Sequence, residues 1–580
     1  MAVPTRTAGG RTRDGRADPV DEHIKGAAGA AGATGPGAPG EGGEPGGGPP
    51  GPDRRHFLGS AIGIGVGAAV GTAMGAAVAG CSAERRSPGA ASRTADADPT
   101  ATDPTAADAE RDRSGSPDWR IRSVGPQEAV QGFTDKVSVL PGEEFGLYVS
   151  TTAPGFRVSA YRIGWYDGHR ARLVWRSERV RGRVQRGPRM VVATRTARAD
   201  WDRTLGVRTD GWPEGAYLLR LDAENGHQRY IPLIVRSASA KGRTLLVHAP
   251  ATWQAYNKWG GYSLYEDENG GYGYRSLAVT FDRPYDGNGA EKFLVYERAL
   301  VVLAERLGIP LAYTTGMDVH RAPAVLRGAV TAVSLGHDEY WTPEQRRHFT
   351  EARDAGTNLA FLGANTCFRR IRLEDGGRSR TSAAPRTVVC YKTSYRDDPY
   401  LKDHPEMATT DFRQGPGADP ESALTGVLYE GYPTDAPYVV HAAGHWLFEG
   451  TRVKRGDAFD HLVGVEYDRV TPGTSAPEPI EIVAHSPLVC NGRRSHADSA
   501  YYTVPGGAGV FASGTMRWVE GLMAGTRENG RNHGLDARTG AFVTRTTENL
   551  LRAFAAGPAA RTRPAPRDNV REVYGRARPA

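Results

Sequence analysis

Cysteine is scarce in this chain, which has four cysteines among 580 residues. Cys81 lies in the amino-terminal region, and Cys367, Cys390 and Cys490 lie further along. No two of them form a CxxC pair, so the spacing typical of a zinc site or a dithiol redox motif is missing. Apart from Cys81 an odd number remains, and at least one thiol must be unpaired. We therefore expect no framework of structural disulfides.

Lysine is also rare, with eight residues, so the net charge of +7 comes almost entirely from arginine. The arginines are scattered along the chain and do not form a basic stripe. No nucleic-acid-binding motif accompanies them. The composition therefore argues against a nucleic-acid partner.

Long apolar runs are missing as well, with one exception in residues 53–81. There Arg54 and Arg55, followed by Phe-Leu and a run rich in Gly and Ala, resemble a twin-arginine export signal. The run ends in VAGC, which resembles a lipobox with Cys81 as the lipid-bearing residue. A transmembrane helix is the alternative, although the many glycines make it a poor span. We expect export by the twin-arginine route and lipid anchoring to the outer face of the cytoplasmic membrane.

The segments on either side of this signal have the composition of unfolded chain. Residues 1–52 include a low-complexity tract of Gly, Ala and Pro that has too little apolar surface to fold. Residues 82–118 are rich in Ser, Thr, Asp and Pro. We expect a disordered extension before the signal and a flexible linker after it.

Residues 119–237 contain short alternating strands separated by Gly, Pro and Asp. Examples are EEFGLYVST (143–151), RVSAYRIGWY (157–166) and GAYLLRLDA (215–223). This spacing predicts an antiparallel β-sandwich, a type of domain that more often supports or binds than catalyses.

From residue 243 to about 560 the pattern changes to alternating strands and helices. The predicted strands are 243–249, 309–315, 329–335 and 357–365. A helix is predicted over 291–308, and another follows Thr342, which can cap it. The alternation predicts an α/β fold with a doubly wound, mostly parallel sheet, interrupted by a β-rich insertion at about 376–510.

Three polar loops follow predicted strand ends. They read ATWQAYNKWGGYSLYE (251–266), GHDEYW (336–341) and GANTC (363–367). In such sheets the binding crevice lies beyond the carboxyl ends of the strands. We expect the three loops to meet at one edge, with GHDEYW at the mouth of a site.

These loops, together with VGVEYDR (463–469) and GAGVFASGTMRW (507–518), resemble the C-terminal domain of the N,N-dimethylformamidase large (beta) subunit family. The resemblance covers about 240–530 and implies a fold similar to that of class I glutamine amidotransferases. Those enzymes carry a nucleophilic cysteine where this chain has Asn365. Covalent amidotransferase chemistry is therefore not expected, and Cys367 is interpreted as a small buried thiol.

The resemblance implies an amidohydrolase with one ferric ion, Fe(III), held by two tyrosines and one glutamate. Phenolate and carboxylate are hard oxygen donors that suit such an ion. Carried over by position, Glu339 is the carboxylate ligand, and Tyr256 and Tyr217 are the tyrosines. The fallbacks for the second tyrosine are Tyr340, Tyr262 and Tyr265. His337 becomes a base or an orienting residue, and Asn365 holds the amide oxygen.

Each of these residues also has a purely structural interpretation, as a loop carboxylate, a hydrogen-bonded histidine, packed tyrosines or a residue tolerating a strained turn. Further acidic candidates are HPE (404–406), Glu466 and Asp468, which we assign to the inserted segment.

Metal-dependent hydrolysis of a small amide or related C–N bond is the first hypothesis for function. The alternative is a non-catalytic binding or structural lipoprotein on the same fold. A third idea is carbohydrate binding through an aromatic-rich loop containing Trp253, Trp259, Tyr262, Tyr272 and Tyr274. The expected partners are a small amide-like substrate and, through the lipid, a membrane. The small subunit of the characterised family member has no visible counterpart here.

Overall fold

The structure, a computed structural model, describes residues 110–375, 385–526 and 533–575. Several predictions lie outside these residues: the extension 1–52, the export signal 53–81 with Arg54, Arg55 and Cys81, and most of the linker 82–118. In the described ranges, no helix combines the length and the apolar character needed to cross a membrane.

The first half of the described chain is built from strands. They are β1 (Val130–Thr134), β2 (Ser138–Val139), β3 (Glu144–Thr151), β4 (Gly155–Ile163), β5 (Ala171–Arg176), β6 (Val180–Arg181), β7 (Arg189–Val191), β8 (Thr196–Arg198), β9 (Leu205–Arg208), β10 (Gly215–Ala223) and β11 (Gln228–Val235).

Two sheets of this half share one apolar core. One sheet has the order β1-β3-β9, and the other has the order β2-β11-β10-β4-β5 with β6 paired to β4. Alternate residues of facing strands, such as Leu147 and Val149 of β3 and Leu219 and Leu221 of β10, meet in that core. Neighbouring strands are antiparallel except for β11 and β2. Alternate residues of these strands enter this core, and a period of two is the pattern from which the sequence predicts strands here.

The second half contains both helices and strands. The helices are α1 (Pro250–Tyr256), α2 (Glu291–Tyr296), α3 (Arg298–Leu307), α4 (Gly316–Arg321), α5 (Pro343–Asp354), α6 (Ser422–Thr425), α7 (Trp518–Gly521), α8 (Ala537–Ala555) and α9 (Val570–Tyr574). The strands are β12 (Thr244–His248), β13 (Ala278–Thr280), β14 (Leu311–Thr315), β15 (Thr331–Ser334), β16 (Tyr340–Trp341), β17 (Asn358–Phe361), β18 (Arg369–Arg370), β19 (Arg372–Glu374), β20 (Thr387–Val389), β21 (Leu428–Val439), β22 (Ala458–Arg469), β23 (Ile480–Cys490), β24 (Arg493–Thr503) and β25 (Gly509–Ala512).

The predicted fold class, a doubly wound and mostly parallel α/β sheet like that of class I glutamine amidotransferases, is wrong. The described chain is mostly β-sheet, and most of its sheets are antiparallel or mixed. The largest sheet is itself mixed, with the order β14-β12-β15-β17-β25-β24-β23. Its first five strands run parallel, whereas β24 pairs antiparallel with both β25 and β23.

The physical reason for this error is that alternation between strand and helix holds over only part of the chain. Four of the parallel strands, β12, β14, β15 and β17, lie within residues 244–361. The long strands that follow are joined as hairpins and pair antiparallel, as in β21 with β22 and β23 with β24. The alternation of strands and helices in the sequence therefore predicted the strands of one stretch but not the fold class of the whole chain.

The helix predicted over 291–308 is divided into α2 and α3 at Glu297, whose φ of −129° departs from helical values. The carboxylate of Glu297 is buried and accepts hydrogen bonds from Trp253 Nε1 at 2.8 Å and from the backbone N–H of Ala249 at 3.2 Å. It also contacts His248 Nδ1 at 2.5 Å. These contacts connect the break in the helix to β12 and α1.

Candidate active site

The candidate site is built from the loops that follow β12, β15 and β17. Helix α1 follows β12 and ends at Tyr256, and the loop after β15 carries His337 and Glu339. The loop after β17 carries Asn365. Parallel strands end at the same edge of a sheet, and the structure brings these side chains together there.

Glu339 is the centre of the cluster. Its side chain is 1% exposed, and its carboxylate accepts a hydrogen bond from the Tyr256 hydroxyl at 2.8 Å. The Tyr265 hydroxyl lies 2.8 Å from Oε1 and 2.6 Å from Oε2 of the same carboxylate. The two tyrosine rings stack with centroids 4.4 Å apart. Two phenols and one carboxylate thus converge at one buried point.

The chain between the two tyrosines is held by Arg283, whose side chain is fully buried. Its guanidinium donates to the backbone carbonyl oxygens of Gln254, Asn257, Trp259 and Tyr262, at distances from 2.8 to 3.2 Å. Because one planar cation binds four carbonyl groups of the same loop, the loop is fixed in a single shape. This fixes the relative positions of the two phenols.

His337 lies on the other side of Tyr256. Its Nε2 is 2.9 Å from the Tyr256 hydroxyl oxygen and 3.6 Å from Oε2 of Glu339. Burial lowers the pKa of His337 to about 4, although the Glu339 carboxylate opposes that shift. The imidazole is therefore neutral at neutral pH and can orient the Tyr256 hydroxyl.

Two basic side chains lie against the carboxylate and the rings. Arg369 Nε is 3.2 Å from Oε1 of Glu339, and Lys392 Nζ is 3.2 Å from the centroid of the Tyr265 ring. Burial alone would raise the pKa of Glu339, but the Arg369 guanidinium is the main group that holds that pKa below its ordinary value. Glu339 is therefore an ionised carboxylate in a buried position, stabilised by a cation and two hydroxyl donors.

Lys392 is itself unusual. It is fully buried, has a φ of +54°, and burial lowers its pKa well below the ordinary value for lysine. Among the described residues its Nζ has no hydrogen-bond partner. No pattern in the sequence marks Lys392, since a single lysine in the polar segment 391–398 is typical of an exposed position.

Asn365 connects the site to the inserted segment. It has a φ of +59°, and its backbone N–H donates to Oδ1 of Asp468 at 2.8 Å. Burial raises the pKa of Asp468 to about 7. Burial and the nearby Glu339 carboxylate raise the pKa of Glu466 well above its ordinary value, which favours the protonated form of this carboxyl group. Oε2 of Glu466 has no hydrogen-bond partner among the described residues.

Glu466 and Asp468 both lie on β22. Because they were assigned to the inserted segment, they were not predicted to lie beside the site. The motif VGVEYDR contains both residues and was the signal that could have found them.

The structure does not bring Tyr217 to this site. Its hydroxyl donates to the carbonyl oxygen of Pro213 at 2.6 Å, and its ring stacks on Trp212 in the core of the two amino-terminal sheets. Strand β10 alternates its side chains between two faces, and position 217 points into that core. Tyr265, one of the fallbacks, takes the place expected for the second tyrosine.

The remaining candidates have other environments. Tyr340 is buried with its ring edge-to-face to Tyr265 at 6.5 Å, and Tyr262 supplies a carbonyl oxygen to Arg283. Cys367 is buried, and burial raises the pKa of its thiol well above the ordinary value, which disfavours a thiolate nucleophile. In the aromatic loop, Trp253 and Trp259 are buried and only Tyr272 and Tyr274 are strongly exposed.

The donor set of Tyr256, Tyr265 and Glu339 fits a hard trivalent cation, since all three donors are oxygens and they already meet at hydrogen-bond distances. Burial and the Glu339 carboxylate raise the pKa of both phenols well above the ordinary value. Binding of a cation would therefore release two phenol protons. Across the described ranges, no group of three or more His, Cys, Asp or Glu residues is arranged to hold a metal ion.

A family model described as N,N-dimethylformamidase beta subunit-like, C-terminal, matches residues 157–533, well over half of the chain. The chain belongs to this family. The resemblance inferred from the sequence motifs is thereby confirmed. The match begins at residue 157, within the strands of the amino-terminal sheets, so the family region includes most of that part as well.

No curated protein matches the chain. Among solved structures, one that is similar over 75% of this chain and 81% of its own is a Paenibacillus sp. cycloisomaltooligosaccharide glucanotransferase complexed with cycloisomaltoheptaose. Its sequence identity is 9% and its TM-score is 0.16, which is too low to support any statement about fold or function.

Proposed function

We propose that this dimethylformamidase-like protein hydrolyses the C–N bond of a small amide with a ferric ion held by Tyr256, Tyr265 and Glu339. The observation that carries the proposal is the convergence of both phenols on the two oxygens of one buried carboxylate. A ferric ion bound there would polarise the amide carbonyl and lower the pKa of a coordinated water.

The residues around this set have separate roles in the proposal. His337, neutral and 2.9 Å from the Tyr256 hydroxyl oxygen, orients that phenol. Asn365, held in place by its backbone bond to Asp468, offers its side-chain amide to the carbonyl oxygen of the substrate. Burial and the Glu339 carboxylate raise the pKa of Glu466, which favours its protonated form, and in this proposal Glu466 supplies the proton that the departing amine nitrogen needs.

Burial supports this chemistry. His337, Glu339 and Asn365 are each no more than 3% exposed, and Glu466 is 8% exposed. Burial lowers the local dielectric constant, which strengthens each of these electrostatic interactions.

For the location, we propose export by the twin-arginine route and lipid anchoring through Cys81. This rests on the sequence of residues 53–81 alone. Folding before export would allow the site to acquire iron in the cytoplasm, and the anchored protein would then act on amides outside the cell.

The test is release of amine or ammonia from small amides by the iron-loaded full-length chain. Glu339→Gln and Tyr265→Phe should each reduce the rate at least about 100-fold, since each removes a group that meets at the centre of the site. Tyr217→Phe is the matched control and should keep its rate, because its hydroxyl is bonded to Pro213 elsewhere. An iron-loaded protein that releases no amine from any small amide would contradict hydrolysis and favour the binding lipoprotein.

A further inference from the structure

Two histidines on neighbouring strands stack on each other in the hairpin that ends the largest sheet. His485 of β23 and His496 of β24 have ring centroids 4.2 Å apart and an angle of 19° between the ring planes. The register of the hairpin places them so, because His496 pairs with Pro487 and His485 pairs with Asp498. Both imidazoles are only half-buried, so protons from solvent reach them.

The carboxyl-terminal helix α9 packs over this pair of rings. The Tyr574 ring meets both imidazoles edge-on, with its centroid 5.3 Å from that of His485 and 6.2 Å from that of His496. Its hydroxyl donates a hydrogen bond to Oδ2 of Asp498, and Oδ1 of the same carboxylate is 2.7 Å from Nδ1 of His485. The end of the helix is therefore held where two imidazoles and one carboxylate meet.

The start of helix α9 is fixed by bonds that do not titrate near neutral pH. Asn569 lies just before the helix and bonds twice to the backbone of Ile482, with Oδ1 accepting at 2.8 Å and Nδ2 donating at 2.9 Å. A change of charge on the histidines therefore acts on the end of the helix that carries Tyr574.

Charge on both histidines is unfavourable in this packing. The Asp498 carboxylate stabilises one positive charge, on His485, which it contacts directly. A second proton on His496 would place two like charges face to face, at a centroid distance of 4.2 Å, under the Tyr574 ring. Burial and the neighbouring His485 accordingly lower the pKa of His496.

The other charged groups around the pair do not remove this repulsion. Arg469 adds positive charge near His496 and lies 3.4 Å from the carboxylate of Glu430. Burial and Arg455 lower the pKa of a third histidine, His441. The remaining carboxylate is that of Glu572 on α9, which contacts His441, Arg455 and Arg567.

Asp498 also connects this cluster to the candidate site. Its Oδ2 accepts a hydrogen bond from the backbone N–H of Val470 at 3.0 Å. Val470 lies two residues after Asp468, which accepts from the backbone N–H of Asn365 at 2.8 Å. The carboxylate that binds Tyr574 therefore also fixes the end of the strand that positions Asn365.

We propose that the stacked pair of His485 and His496 is an acid-sensitive clasp for helix α9. Above about pH 6.5 the pair carries at most one charge and Tyr574 stays docked. Below that pH a second proton favours a conformation in which Tyr574 has moved away and water reaches both rings. Because the pKa of His496 is lowered while the helix is docked, its contribution to docking is complete above about pH 6.5 and is lost as the pH falls. The clasp goes beyond the proposed hydrolysis and does not depend on it.

The experiment is hydrogen–deuterium exchange of the full-length chain at pH 7.5 and pH 5.5, with rates corrected for the intrinsic effect of pH on exchange. We expect the backbone amides of α9 to lose about 10-fold in protection at pH 5.5, which is what uptake of one proton over one pH unit allows. Strands β23 and β24 should stay protected, because only the helix is released.

Three variants test the cause. His496→Phe keeps a ring in the stack but takes up no proton, so its α9 should be almost equally protected at both pH values. The matched control is His404→Phe, which removes a strongly exposed histidine elsewhere and should behave like the unchanged protein. Tyr574→Phe loses the bond to Asp498 and should lower the protection of α9 at both pH values. Thermal melts show whether His496→Phe is folded, and if it is not, His496→Gln takes its place.

The outcomes decide the proposal. Equal protection of α9 at both pH values, or a loss that is as large in His496→Phe, would overturn the clasp. A loss that spreads equally over β23 and β24 would also overturn it, since the sheet itself would then be acid-sensitive. A loss that is confined to α9, absent in His496→Phe and present in His404→Phe supports the clasp.

Discussion

The Tyr265 hydroxyl contacts both carboxylate oxygens of Glu339, at 2.8 and 2.6 Å, although the two residues are 74 positions apart in the sequence. Tyr256 contacts the same carboxylate at 2.8 Å. A buried ionised carboxylate that already binds two phenols can exchange their protons for a hard cation.

Tyr265→Phe should therefore weaken the visible colour of an iron-loaded protein. Ferric phenolate absorbs broadly in the visible range, and losing one of two phenols should weaken both the band and the iron content. Iron per chain and a visible spectrum are the measurements. Tyr217→Phe should leave both unchanged, because that hydroxyl donates to Pro213. A Tyr265→Phe protein with full iron and full colour would exclude Tyr265 as a ligand.

Arg162→Met should destabilise the protein by about 3–5 kcal/mol. Arg162 of β4 and Glu305 of α3 form a buried ion pair with Nη2 and Oε1 2.5 Å apart and side chains no more than 2% exposed. Removing the cation leaves Glu305 charged and buried. Urea unfolding measures the loss, and Arg162→Met with Glu305→Leu should recover much of it. If the double variant is no more stable than the single one, the unpaired charge of Glu305 is not the cause of the lost stability.

Gly336→Ala should reduce both stability and iron binding. A Cβ at Gly336 would lie 2.2 Å from the Tyr296 carbonyl oxygen, so the loop carrying His337 and Glu339 must shift. Overpacking of this kind costs about 1–3 kcal/mol. Gly187→Ala is the control, since a Cβ there has no atom within 4 Å. Equal melting temperatures and iron contents for the two variants would show that the loop accommodates the methyl group.

His445 should make the protein less stable at acidic pH. Burial lowers its pKa to about 3 from an ordinary 6.5, and its Nδ1 accepts a hydrogen bond from the backbone N–H of Leu447 at 3.3 Å. The folded state keeps the ring neutral while the unfolded chain takes up a proton, so this contribution is complete above about pH 6.5 and is lost progressively towards pH 3.

The loss approaches about 1.4 kcal/mol per pH unit at most. His445→Asn keeps an acceptor for Leu447 but cannot titrate, so its free energy of unfolding should fall less between pH 6.5 and 4. Urea unfolding at several pH values compares the two proteins. If the free energies of unfolding of the two proteins fall in parallel as the pH is lowered, His445 does not contribute to the loss of stability in acid.

The sequence allowed much of this site to be predicted, because its strands are marked by local patterns. Glu339, His337, Tyr256 and Asn365 follow strands of one parallel stretch and do meet at its edge. The second tyrosine was assigned to Tyr217, since no local pattern distinguishes a phenol that faces a core from one that faces a site.

Glu466 and Asp468 were underrated for a different reason. Asp468 meets Asn365 across 103 positions of sequence, and such a contact depends on how the long hairpins fold back on the sheet. The same hairpins explain the error in the fold class. Pairing between distant strands depends on tertiary packing, and the periodicity of apolar residues within a short stretch carries no information about it.

The two phenols belong to one short segment, whereas the carboxylate arrives from a distant one. The backbone N–H of Leu264 bonds to the carbonyl oxygen of Ala255 at 2.9 Å, so Tyr256 and Tyr265 are brought together by closing a small loop. Closing a short loop costs little chain entropy, while bringing Glu339 to it requires the sheet to be assembled. On partial unfolding the proposed iron site should therefore be lost by departure of the carboxylate, with the stacked tyrosines persisting as a pair.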